Sequence, residues 1–137
     1  MDKRLFFLMN KAHHKLFNYV DKACEDAMGT SVTQLAALMF VVKNSGCKQK
    51  DIAKEFSQNK SAITGLINRM EKNGLIERKL SAEDARVVQI YPTPEGMEKA
   101  TQVIPFIKEF NAIFDEEFDE QELETVLKFL NFIMKRF

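Results

Sequence analysis

Lys60, Ser61, Thr64, Gly65 and Asn68 are short, polar or basic, and at helical spacing they share one face of the stretch 59–73. Such a face lets a helix backbone enter the major groove of duplex DNA while its side chains reach base edges. The chemistry on offer is hydrogen bonding and charge, not bond making. The chain carries no Gly-rich phosphate loop, no nucleophile elbow and no metal-ligand spacing, so neither an enzyme nor a cofactor is expected. The adjacent His13 and His14 point about 100° apart on a helix and cannot bind a metal as a pair spaced i, i+4 does.

Positioning that polar face requires a buried one opposite it. Ile63, Leu66, Ile67 and Met70 supply it at helical spacing, with Asn59 as N-cap and Gly74 where a left-handed C-terminal cap belongs. A shorter helix is expected before it at 50–56, with Ile52, Ala53 and Phe56 facing inward. After it, Leu75 and Ile76 begin an extended run through Leu80, residues 81–86 form a charged loop, and 87–91 is rich in strand formers. Two short helices followed by two strands around a charged loop make a winged helix-turn-helix over 49–96.

In this stretch the sequence resembles the multiple antibiotic resistance regulator (MarR) family of bacterial transcription factors. The residues that carry the resemblance are Asp51, Ile52 and Ala53; Lys60, Ser61 and Thr64; the run Met70-Glu71-Lys72-Asn73-Gly74-Leu75-Ile76-Glu77-Arg78; Asp84 and Arg86; and Thr93-Pro94-Glu95-Gly96. The close match covers about a third of the chain. The resemblance implies that Asn59, Lys60, Ser61, Thr64, Gly65, Asn68 and Arg69 belong to a recognition helix, with Lys60, Ser61, Thr64 and Asn68 at base edges. It implies that Arg86 at the wing tip enters the minor groove, its guanidinium held by Asp84. Lys48, Lys50, Lys54, Arg69, Arg78 and Lys79 are candidates for phosphate contacts. The sequence departs from the family pattern at Gly65, where Arg is frequent, at Gln58, where a small apolar residue is frequent, and at Pro92, where Leu is usual. Gly65 costs roughly 1 kcal/mol of helix stability relative to Ala and takes a long basic side chain off the reading face, so the family's target sequence does not carry over.

The 137 residues, 45% hydrophobic and 29% charged, suit one soluble globular domain. No run of about 18 apolar residues promises a membrane helix, and the start lacks a signal-peptide pattern, so a cytoplasmic protein is expected. The net charge of zero is unevenly spread: 43–86 holds ten Lys or Arg against six Asp or Glu, and 95–137 holds five against ten. A basic motif beside an acidic C-terminal region orients a protein on a polyanion.

The flanks read as helices. One runs from Lys3 to Met28, and a second opens at a Ser31-x-x-Gln34 capping box and stops by Gly46. A third starts at Thr93 and Pro94 and runs to about Asp115, with Pro105 kinking it or breaking it in two. A last helix starts at Glu120 behind an Asp119/Glu122 capping box. Its apolar residues wrap most of its circumference, which is too much for a helix with one wet face. The first helix has the same surplus at 5–9, so a homodimer built from the terminal helices is expected, as the resemblance also implies. The chain is then mainly α with a small β-wing: one domain over 1–137, with a DNA-binding lobe at 30–96 and dimerisation helices at 1–28 and 97–137.

The function expected is a sequence-specific DNA-binding regulator, a repressor that binds a pseudo-palindromic operator in double-stranded DNA as a homodimer. The resemblance further implies release by a small aromatic or lipophilic effector, for which His13, Phe17, Tyr19 and Phe40 are candidate cleft residues. A winged-helix protein-interaction module without DNA binding would share the fold; retention of Lys60 and Arg86 argues against it. A cysteine-based redox sensor is the other alternative. Cys24 and Cys47 are expected to be reduced thiols, and no cysteine stands near the start of the first helix, where sensing relatives carry one.

Overall fold

The computed structural model describes residues 4–137; Lys3, the expected first residue of the first helix, lies outside the described residues. The elements are α1 Leu5–Met28, α2 Val32–Lys43, α3 Gln49–Glu55, α4 Lys60–Lys72, β1 Ile76–Leu80, β2 Val88–Pro92, α5 Pro94–Glu117 and α6 Glu120–Arg136. The fold is mainly α with a small antiparallel wing, the winged helix-turn-helix class expected from the sequence. The chain divides into two compact units, Met1–Gln102 and Val103–Phe137.

The first unit is organised by the apolar stripe of α4. Ile63, Leu66, Ile67 and Met70 are all buried, against Leu38 and Val41 of α2, Ile52 of α3, and Leu75, Ile76 and Ile90 around the strands. Fully burying side chains of this size contributes about 1.5–3 kcal/mol each. Asn59 caps α4, its side-chain oxygen accepting from the Ala62 N–H at 2.8 Å. Gly74 follows the helix at φ +76°, the left-handed turn that glycine adopts at low cost.

Four local expectations shift. Helix α3 starts one residue earlier than expected, with the Lys48 N–H donating to Asp51 Oδ2 at 2.9 Å. Strand β2 starts one residue later, because the Val87 carbonyl is taken by the Ser81 N–H at 2.8 Å to close the wing loop. The Ser31/Gln34 box is half made: Ser31 accepts from the Gln34 N–H at 3.3 Å, while Gln34 Oε1 accepts from Asn73 Nδ2 at 3.1 Å and ties α2 to the end of α4. Helix α5 runs unbroken through Pro105. Of the kink or break expected there, the break does not occur: the lost donor is the one that would pair with the Thr101 carbonyl, and Thr101 is exposed, so water can satisfy that oxygen.

The wing pairs Ile76 with Pro92 through to Leu80 with Val88. Its other edge is covered too. The Gly46 N–H donates to the Ile90 carbonyl and the Ile90 N–H to the Cys47 carbonyl, both at 2.8 Å, so the segment after α2 flanks β2 as a single bridge. In the second unit, Asp119 and Glu122 cap α6 reciprocally, at 2.8 and 3.1 Å. Among the described residues, no helix is long and apolar enough to cross a membrane.

Candidate nucleic-acid interface

Helix α4 turns Lys60, Ser61, Asn68 and Arg69 to solvent, with Asn59 exposed at its cap and Thr64 and Gly65 half-buried between them. The hydroxyl of Thr64 is committed on both sides: it donates to the Lys60 carbonyl at 2.8 Å and accepts from Gln49 Nε2 at 2.6 Å. What Thr64 leaves to offer a ligand is its methyl group and one acceptor lone pair. Gln49, at the start of α3, thereby fixes the spacing between the two helices of the motif. Sequence reasoning passed over it, and only its place between Lys48 and Lys50 at a helix start could have marked it.

Arg69 leans back one turn over Gly65, its Nη1 lying 3.3 Å from where a Cβ at position 65 would stand. Long side chains on a helix point toward its N-terminus, so a basic group one turn on covers the position left bare by the glycine.

At the wing tip Asp84 holds Arg86 at three points. The Arg86 backbone N–H donates to Oδ1 at 3.0 Å, Nε to Oδ1 at 3.2 Å and Nη2 to Oδ2 at 3.3 Å. The Arg86 side chain nonetheless remains 91% exposed, so it is aimed without being hidden. These hydrogen bonds, side chain first and backbone second, hold the Asp84 carboxyl below the usual carboxylate range. The clamp is therefore complete above the ordinary aspartate range and is lost only as pH falls through the depressed value.

Lys48, Lys50, Lys60 and Arg86 line one concavity of about 630 Å³ with Gln49, Ala53, Val87 and Val88, joining the start of α4 to the wing. No acidic residue is among the described residues that line it. Lys54 is exposed in the last turn of α3. Lys79 lies on the opposite face of β1 from Arg78, paired with Glu77 at 3.2 Å and 5.3 Å from the centre of the Tyr91 ring. Arg78 turns back onto α4, where Nη2 donates to Asn68 Oδ1 at 2.7 Å and to Glu71 Oε1 at 2.9 Å. Arg78 holds the Glu71 carboxyl below its usual range, chiefly by that side-chain hydrogen bond.

The expected effector residues do not share one environment. His13 and Phe17 are exposed on α1 with rings 5.8 Å apart, and Tyr19 is exposed as well, whereas Phe40 packs on the lobe core with its ring 6.4 Å from that of Phe56. Cys24 and Cys47 are both buried free thiols. Burial pushes both up, aided by Asp21 and Glu25 at Cys24 and by Asp51 at Cys47, which is the reverse of what a reactive thiolate needs.

The MarR family model matches residues 28–87. The HTH-type transcriptional repressor YetL of Bacillus subtilis is 24% identical over 133 residues, 96% of this chain and 77% of its own length. The uncharacterized HTH-type transcriptional regulator YwhA of the same organism is 32% identical over 98 residues, 72% of this chain and 68% of its own. Across three such curated relatives the chain spans 65% to 77% of their length. A crystal structure of the S. aureus MepR–DNA complex shares the fold, with a TM-score of 0.87 at 20% identity over 98% of this chain and 99% of that one.

Proposed function

This chain belongs to the MarR family of winged helix-turn-helix transcriptional regulators, and we propose that it is a repressor that binds an inverted-repeat operator as a homodimer. The observation that carries this reading is the concavity that Lys48, Lys50, Lys60 and Arg86 line together with no acidic residue in its lining. A row of cations in which only Arg86 is paired, with Asp84 at the rim, suits a phosphate backbone. On that footing Lys60, Ser61 and Asn68 reach base edges, with the Thr64 methyl beside them, while the Asp84-held Arg86 enters the adjacent minor groove. Lys48, Lys50, Lys54, Arg69 and Lys79 are the phosphate contacts proposed. YetL is named a repressor, and MepR was crystallised on DNA; both support the same function here.

Release by a small aromatic or lipophilic acid is the finer part of the proposal. The exposed His13 and Phe17 rings and Tyr19 on α1 offer an aromatic surface for it. The homodimer rests on the apolar surface that α1 and α6 leave open to water in one copy. On this reading the protein acts in the cytoplasm, where a DNA operator is reached.

Salt dependence tests the interface. Arg86→Ala is expected to weaken binding to every duplex about tenfold, and to lower the slope of log affinity against log salt by roughly 2, one counterion for each wing of the dimer. Asn68→Ala should leave the slope almost untouched and instead flatten preference at one position in each half-site, by about 1–3 kcal/mol. Both variants are measured on one operator from low to moderate salt. An unchanged slope and affinity in Arg86→Ala would remove the wing from the interface.

A further inference from the structure

The sequence marks Arg78 as a phosphate contact, but its guanidinium is already engaged. It donates to Asn68 Oδ1 at 2.7 Å and to Glu71 Oε1 at 2.9 Å, while the Arg78 backbone N–H donates to Glu71 Oε2 at 3.3 Å. Its side chain is 30% exposed, against 91% for Arg86. Guanidinium groups have donors only, so the end of the Asn68 amide that meets Arg78 must be the oxygen. Glu71, one turn along α4 from Asn68, holds the guanidinium from the other side and fixes it on both.

We propose that Arg78 is a positioning residue for base recognition: by holding the Asn68 oxygen against β1, it turns the amide N–H groups outward and so decides which base Asn68 selects. This rests on the DNA-binding function proposed above. An unrestrained Asn pairs with adenine through both ends of its amide, the oxygen accepting from N6 and the nitrogen donating to N7. With its oxygen turned inward, Asn68 offers donors alone. Donors match the two acceptors of guanine, N7 and O6, or O4 of thymine, and they oppose the N4 donor of cytosine. The base preference at this position is thus set from a strand that does not itself touch the base.

The test is selection of bound duplexes from a random library with the full-length protein and with Asn68→Ala, Arg78→Lys and Arg78→Ala. The unaltered protein should enrich guanine or thymine at one position per half-site, and Asn68→Ala should flatten that position alone. A lysine keeps the charge but cannot span Asn68 and Glu71 together as the planar fork does. Arg78→Lys is therefore expected to raise adenine relative to guanine at that position roughly tenfold, with other positions and the salt slope unchanged. Arg78→Ala should shift the same position in the same direction. Four results would overturn the proposal: Arg78→Lys selecting the same site as the unaltered protein, Arg78→Ala weakening all sequences alike with a slope lower by roughly 2, adenine already enriched where Asn68 acts, or no position depending on Asn68. Should the unaltered protein enrich no sequence at all, the DNA-binding function falls and this inference with it, whereas an enriched site indifferent to Arg78→Lys overturns this inference alone.

Discussion

Leu127→Glu combined with Leu130→Glu is expected to make the protein monomeric and to weaken operator binding by about 10²- to 10⁴-fold, the factor lost when two linked half-site contacts become independent. In a single copy these side chains are 59% and 45% exposed, and Val126, Phe132 and Met134 beside them on α6 are exposed too. Helix α1 leaves Leu5, Phe6 and Phe7 open in the same way. Monomeric proteins rarely expose apolar surface this extensive, and a twofold pair of identical chains is the commonest oligomer that would cover it. The two alternatives give opposite outcomes. In a protein that works as a monomer, a glutamate at an exposed position changes stability by no more than about 0.5 kcal/mol and improves solubility. In the dimer it places four carboxylates in a dry interface. Light scattering of the unaltered and doubly substituted chains, followed by titration onto one operator, separates them.

Gly96→Ala should be the most destabilising of the glycine-to-alanine changes in this chain, at about 3 kcal/mol or more. A Cβ there would stand 2.0 Å from the Leu75 carbonyl oxygen and 3.3 Å from Leu38 Cδ1. That carbonyl has little freedom to retreat, since it accepts from the Thr93 N–H at 3.1 Å. Thr93 is fixed in turn, its hydroxyl donating to the Gly74 carbonyl at 2.5 Å and accepting from the Gly96 N–H at 2.9 Å. The start of α5 and the start of β1 are therefore pressed together at a backbone contact that admits no side chain. Urea unfolding at fixed protein concentration should show a lower midpoint with an unchanged slope. Gly65→Ala is the internal control. There the only neighbour within reach is the flexible tip of Arg69 at 3.3 Å, so alanine should stabilise α4 by up to about 1 kcal/mol.

How much of this was legible in the sequence depended on the range of the interaction. The stripe of Ile63, Leu66, Ile67 and Met70, the Asn59 cap, the turn at Gly74 and the box at Asp119 are all set by residues within a few positions of one another, and each took the form its local pattern implied. Pairings across long separations were not legible. Gln49 meets Thr64 fifteen residues on, Gln34 meets Asn73 thirty-nine residues on, and Cys47 bridges to Ile90. Nothing in the local periodicity of a polar residue says which distant partner it will find. The same limit applied to Arg78, whose charge suggested a phosphate while its strand position gave no hint of Asn68 ten residues back. Pro105 shows the limit from the other side: a local rule allowed a break there, and α5 continues because one missing hydrogen bond on an exposed turn is tolerated.

The central claim is that two copies of this chain read one duplex, each through α4 and its wing. Selection of bound duplexes from a random library tests it most directly. Twofold symmetry in the protein must be mirrored in the site, and two recognition helices facing one side of the duplex require half-sites about one helical turn apart. The expected result is an inverted repeat with that spacing, bound by two chains per duplex. Recovery of direct repeats only, of single asymmetric sites, or of no enriched sequence would contradict it.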